Sequence, residues 1–254
     1  EAGITTFDHA DIYGEYTTEH QFGKAFAKSG IERERIQLIS KCGIQHDGGT
    51  RDNGIKHYNY SKEYIIWSVE KSLKDLQTDY LDLLLLHRPS PLMHPTEIAA
   101  AVSILKETGK IIDFGVSNFT PSQFNLIDQT TSISVNQIEF SLTQYSAMHN
   151  GILDQLLQKE VIPMSWSPLG SYFKETNAAN KRIKKVLDVF TKKYNATEDQ
   201  LLLAWILKHP SGVIPVVGTT SKVRLQNAVK ALDIELDLED WFTLLVECQG
   251  HKVP

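Results

Sequence analysis

Residues 81–87 read LDLLLLH, five leucines and one aspartate closed by His87. A half-exposed strand alternates apolar and polar residues, so a nearly unbroken run of this length suits a parallel strand buried on both faces. Similar short runs occur at 4–7, 36–40, 114–116, 134–138, 162–165 and 213–217. Segments of helical period lie between them. In 60–76 the residues Ile65, Ile66, Val69, Leu73 and Leu76 recur at three and four behind Ser61, an N-cap type. The segment 96–106 follows Pro95, 121–127 follows Thr120, and 197–208 opens Thr-Glu-Asp-Gln, close to a capping box. Strands and helices thus alternate, with no solenoid repeat and no linker-like change of composition, which implies a parallel α/β sheet in a single domain over 1–254.

A barrel of eight strand and helix units typically takes about 250 residues. Seven runs are visible here, and Glu1-Ala2-Gly3 reads as the end of a helix with a glycine stop. The expectation is therefore a (β/α)8 TIM barrel whose amino-terminal strand is missing from this chain. An open doubly wound sheet would usually carry GxGxxG in its first turn, and the sequence has no such motif.

The composition is that of an ordinary globular protein, 41% hydrophobic and 22% charged over 254 residues. A net charge of -5 gives no pull toward nucleic acid or an anionic membrane. Cys42 and Cys248 are far apart and lack any metal-ligand spacing, which points away from disulfides and zinc and toward a reducing cytoplasm. No apolar stretch approaches the roughly 18 residues of a membrane helix, and no signal peptide precedes the first run. A soluble cytoplasmic protein is expected, a monomer or weak homo-oligomer.

In such a barrel the active site lies at the carboxyl ends of the strands. The runs end, in order, at Asp8, at Lys41, at His87 and at Ser117-Asn118; the fifth carries Asn136 and Gln137. The sixth continues into Trp166-Ser167-Pro168-Leu169-Gly170 and the seventh ends in Gly218-Thr219-Thr220. Any one of these is explained as well by a loop beginning with a polar residue. Together, Asp8, Lys41 and His87 at successive strand ends bring an acid, an amine and an imidazole to one cavity, with Tyr13 on the adjoining loop. A neighbouring cation favours ionisation of a phenol, and such a tyrosine can protonate a carbonyl oxygen. Moving a phenol from about 10 toward 7 takes roughly 4 kcal/mol, which only a close and poorly solvated partner supplies.

These residues resemble the aldo-keto reductases, whose Asp, Tyr, Lys and His pattern is matched by FDHADIYG, SKCG and LLLHRP. The resemblance continues through GVSNF, NQIEFS, WSPLG and IPVVGTTSKVRLQNA, covering nearly the whole chain. The texture of HRPSPL and of the carboxyl-terminal QGHKVP is most similar to a bacterial subgroup of mostly uncharacterised oxidoreductases.

The resemblance implies NADPH-dependent reduction of a small-molecule aldehyde or ketone, or the reverse oxidation, with NADH the less favoured cofactor. The nicotinamide would give hydride to the carbonyl carbon and Tyr13 the proton to oxygen. Lys41 would favour proton release from the phenol, Asp8 would hold Lys41, and His87 would orient the carbonyl. Ser117, Asn118 and Gln137 would bind the carboxamide, whose donor and acceptor need fixed partners. Trp166, where the family often has tyrosine, would stack on the ring, with Ser167 and Leu169 beside it. Gly218, Thr219 and Thr220 would receive phosphates at the helix start near Lys222. Arg224 would pair with the 2′-phosphate and Asn227 with the adenine.

The segment 46–60, HDGGTRDNGIKHYNY, is long, polar and glycine-rich, and reads as a substrate-rim loop or a plain connection. Its His46, Asp47 and His57 lack metal spacing, so no metal is expected. Asp11 reads as loop structure or a cap, and Cys42 as packing. Arg88 stands where many relatives carry tryptophan. Two rival functions are a barrel enzyme using Lys41 as a Schiff base and a non-catalytic NADPH-binding regulatory subunit.

Overall fold

The computed structural model describes residues 2–48 and 51–253, so Glu1 of the expected helix end and Gly49 and Thr50 of the 46–60 segment lie outside it. The chain divides into two compact units, 3–136 and 137–254 together with 1–2. Among the described residues its main sheet has seven strands.

The first unit opens with β1 (Thr6–Asp8), a kinked turn α1 (Tyr13–Tyr16) and α2 (Thr18–Ala27). Then come β2 (Gln37–Cys42), the antiparallel pair β3 (Ile44–Gln45) and β4 (His57–Tyr58), and α3 (Lys62–Leu76). Next are β5 (Leu81–Leu86), α4 (Pro95–Glu107), β6 (Ile111–Ser117) and α5 (Pro121–Asp128), before β7 (Val135–Glu139) crosses the boundary between the units. The leucines of β5 are buried, as their continuity demands. The parallel register pairs Asp8 with Ile39, Lys41 with Leu85, and Leu86 with Val116. The carboxyl ends of four strands, and the residues that follow them, are thereby brought to one edge.

Local signals set the helix limits. The Ser61 side chain accepts from the Tyr64 amide at 3.3 Å, and α3 ends on Gln77 in the left-handed region. Thr120 and Gln123 form a reciprocal capping box at the start of α5. β6 begins three residues earlier than its apolar core announces, because Ile112 and Asp113 are exposed while their backbone pairs with β5. β4 arises inside the segment read as a loop and pairs with β3 just before it. They are two residues each and are defined by backbone pairing, which leaves no hydrophobic period in the sequence.

The second unit contains the rest of β7, α6 (Ile152–Gln158), β8 (Ile162–Trp166), α7 (Ala178–Lys193) and α8 (Glu198–Leu207). It closes with β9 (Ile214–Pro215), α9 (Lys222–Val229) and α10 (Leu238–Gln249). β8 and β9 run parallel, with Met164 opposite Ile214. The seventh apolar run, expected over 213–217, is a strand at 214–215 only, although the Val216 amide still donates to the Ser165 carbonyl at 2.8 Å. α8 is apolar on every side because it is central to this unit's core, with Leu201 through Ile206 all buried. Trp205 stacks on Trp241 at 4.8 Å, and each indole N–H donates to the other's backbone carbonyl.

Among the described residues no helix is long and apolar enough to cross a membrane, and no group of histidine, cysteine and carboxylate side chains could hold a metal ion. Both cysteines are free; Cys42 is buried in the packing of β2, and burial pushes its thiol well up from the ordinary value.

Candidate active site

Lys41 is the one lysine among the largest fully buried side chains, at 1% exposure. A buried ammonium is tolerable only if its protons are used. Here all three are: Nζ donates to Asp8 Oδ2 at 2.7 Å, to the His9 carbonyl at 2.8 Å and to the Tyr13 hydroxyl at 3.2 Å. Asp8 ends β1 and Lys41 lies one residue before the end of β2, so the parallel register itself brings acid and amine together. The third acceptor, the His9 carbonyl, is a backbone atom that no side-chain census would single out.

Tyr13 is 37% exposed and directs its hydroxyl inward to Lys41. The His87 ring, one residue past β5, meets the Tyr13 ring edge-on at 5.8 Å. Burial first, then the charges of Lys41, Arg88 and Lys56, lower the His87 pKa to about 3. The imidazole is therefore neutral at ordinary pH and carries one N–H to donate. His9, packed on Phe22, is likewise held neutral, its pKa lowered to about 4 chiefly by burial.

At the end of β6, Ser117 is buried and Asn118 adopts a left-handed backbone, φ 63°. The Asn118 amide donates to Ser117 Oγ at 2.7 Å, and Asn136 fixes the turn by donating to the Phe119 carbonyl at 3.0 Å. Gly115 must lack a side chain, since a Cβ there would sit 2.6 Å from the Val135 carbonyl oxygen. Of the expected residues in this unit, Asp8, Tyr13, Lys41 and His87 are brought together, with Ser117 and Asn118 at an end of the same sheet.

The remaining candidates belong to the second unit. Gln137 is buried in β7, and Trp166 ends β8 half-buried. Ser167 turns the chain with φ 53° and accepts from the Gly170 amide, while Leu169 packs on the core. Gly218, Thr219 and Thr220 connect β9 to α9, whose N-cap Ser221 accepts from the Arg224 amide. The Thr219 hydroxyl accepts from the Ser221 amide at 3.1 Å. Arg224 is exposed, and Asn227 is anchored through its carbonyl by Gln200 of α8 at 3.0 Å.

Taken unit by unit, the chemistry of these side chains suits parts of a nicotinamide dinucleotide. Hydroxyl and amide groups suit a carboxamide, and Trp166 offers an aromatic face. Gly218 has open space where a side chain would be, no residue of α9 is buried, and an accessible helix start beside cations suits phosphates.

Asp11, read as loop structure or a cap, lies in the turn before α1; it is buried and accepts from Tyr64 and Ser68 at 3.2 and 3.1 Å. Burial, opposed by Arg51, raises its pKa to about 6.

The model of the aldo/keto reductase family matches residues 1–245, running through both units. The chain is 42% identical to an uncharacterized oxidoreductase, YcsN, of Bacillus subtilis, over 99% of this chain and 86% of that protein. It is 40% identical to a 6-dehydroglucose reductase of Agrobacterium fabrum, over 99% and 85%. Among solved structures, a thermostable aldo-keto reductase with the inhibitor epalrestat is similar at TM-score 0.81 and 26% identity, covering 94% of this chain and 81% of that one. An aldo/keto reductase of Klebsiella pneumoniae in complex with NADP and acetate is similar at 0.78 and 27%, covering 96% and 81%. A family match of this extent establishes that the chain belongs to the aldo/keto reductase family of oxidoreductases, with the (β/α)8 barrel as its fold.

Proposed function

We propose that the protein reduces a small-molecule aldehyde or ketone to the alcohol with NADPH, Tyr13 being the proton donor. The observation that carries this reading is Lys41, buried and shared between Asp8 at 2.7 Å and the Tyr13 hydroxyl at 3.2 Å. NADPH, when bound, supplies the hydride. The protein's part is the proton. As the carbonyl oxygen gains charge, the Tyr13 O–H bond breaks and the proton passes to that oxygen, leaving a phenolate beside the Lys41 ammonium. Asp8 holds that ammonium in place. Neutral His87 donates a hydrogen bond to the same oxygen and adds no second cation. The partial exposure of Tyr13 lets solvent return its proton.

Ser117, Asn118 and Gln137 are the carboxamide partners in this reading, and Trp166, Ser167 and Leu169 border the ring. Gly218, Thr219 and Thr220 take the phosphates, and Arg224 and Asn227 the adenosine end. The NADP and NADPH bound to the Klebsiella pneumoniae relatives support this choice of cofactor. Lys41 as a Schiff-base nucleophile is disfavoured because its three protons are committed to internal acceptors.

The test is NADPH oxidation with a reactive aldehyde by the protein and by Tyr13→Phe. The variant loses at least about 100-fold in kcat, the usual scale of acid catalysis, with NADPH affinity unchanged. Equal activity in both would overturn the assignment of the acid.

A further inference from the structure

Tyr13 is followed by three residues in the left-handed region: Gly14 at φ 57°, Glu15 at 55° and Tyr16 at 67°. Glycine adopts this freely, but Glu15 and Tyr16 do not, and such backbone persists only where its surroundings over-determine it. The restraint comes from 46–60. The Tyr16 hydroxyl donates to the His46 carbonyl at 2.9 Å and accepts from the His46 amide at 3.0 Å, and its ring stacks on the His46 ring. The Arg51 guanidinium lies over the Tyr16 ring, 4.1 Å from its centroid.

Arg51 is itself held. Its backbone exchanges hydrogen bonds with Gly48, its guanidinium donates to Gln45 Oε1 at 3.0 Å and to the Tyr64 hydroxyl at 2.8 Å, and it lies 3.6 Å from Asp11 Oδ2. Asp11 in turn donates its amide to the Lys41 carbonyl at 3.0 Å. Arg51 therefore grips the chain on both sides of Tyr13, at Asp11 two residues before and at Tyr16 three residues after. A cavity of about 260 Å³, lined in part by Tyr16, Arg51 and Trp67, adjoins it, so dense packing alone does not hold the turn.

We propose that Arg51 is a positioning residue: by clamping the strained turn it keeps the Tyr13 hydroxyl on Lys41, making His46 and Arg51 part of the proton-delivery apparatus. This rests on the reading of Tyr13 as the acid. Arg51 touches neither Tyr13 nor Lys41 in the contacts above, and acts through Asp11 and Tyr16.

The experiment compares the full chain with Arg51→Ala and Arg51→Lys by steady-state kinetics, and by hydrogen exchange of peptides spanning 12–17 without cofactor. The expected result is a kcat about 10- to 100-fold lower in Arg51→Ala, a range within what misplacement of a catalytic group costs, with KM for NADPH within about two-fold. Exchange at 12–17 becomes faster, and Arg51→Lys recovers part of both effects because it keeps the charge facing Asp11. Should Arg51→Ala fail to fold, Tyr16→Phe, which keeps the ring but loses both bonds to His46, gives the same signature at smaller size. Normal kcat in a folded variant, or unchanged exchange at 12–17, overturns the inference while leaving Tyr13 as the acid. A fully active Tyr13→Phe overturns the reading beneath it, whatever the exchange shows.

Discussion

Lys41 and Arg224 are both cations of a candidate site, and the fold keeps them in opposite conditions. Lys41 is 1% exposed and spends every proton on its own chain, whereas Arg224 stands exposed on α9, a helix with no buried residue. The contrast suits the roles proposed for them. A charge that stabilises a developing phenolate acts most strongly where water is excluded and its position is fixed in advance. A charge that must receive a soluble anion has to remain accessible.

Removing each charge breaks this comparison in a different measurable. Lys41→Met should have the largest effect, about a 1000-fold fall in kcat, and should also destabilise the fold by about 3 kcal/mol because the Lys41–Asp8 ion pair is broken. A denaturant titration checks the second part, and adding Asp8→Asn should restore stability without restoring turnover. Arg224→Ala should raise KM for NADPH about 10-fold, with kcat and KM for NADH nearly unchanged, since only the 2′-phosphate is lost as a partner. Parallel kinetics with both cofactors test it; equal effects on the two would assign Arg224 elsewhere.

The smallest effect concerns a buried charge that, unlike Lys41, is poorly compensated. Glu19 is buried, accepts from Ser40 Oγ at 2.5 Å, and has its pKa raised by burial from 4.5 to about 7. Its ionised form is disfavoured in the fold, so stability falls as pH rises from about 4.5 through 7. Glu19→Gln escapes this loss. Its melting temperature relative to the parent should rise between pH 5 and pH 8 by a few degrees, for about 1–3 kcal/mol. His9 and His87, held neutral, contribute in the opposite direction as pH rises to 6.5, but they are common to both proteins and cancel in the difference.

The strand ends were legible because an apolar run that stops abruptly on a polar residue reports the edge where a buried sheet meets the site; Asp8, Lys41 and His87 all stand at such stops. α7, with alternating lysines and apolar residues over Ala178–Lys193, carried a helical period that the strand-centred reading passed over. β3 and β4 are invisible in principle at two residues each, because backbone pairing and not side-chain pattern makes them. Asp11 and Arg51 lie 40 positions apart and look like loop polarity. Their meeting depends on tertiary placement of α3, whose Tyr64 and Ser68 complete the cluster. The left-handed backbone at Glu15 and Tyr16 has no compositional signal either, since neither residue prefers it.

That Lys41 has no proton left to offer has an evolutionary consequence. In the proposed mechanism the ammonium would work only as a fixed field on Tyr13, so the apparatus that delivers the proton would be sealed off from the features that distinguish one carbonyl compound from another. Loops around such a site can be exchanged, and new substrates explored, without retuning the acid. The segment that carries Arg51 is a connection where that freedom would be curtailed, because a change there would reach the chemistry itself.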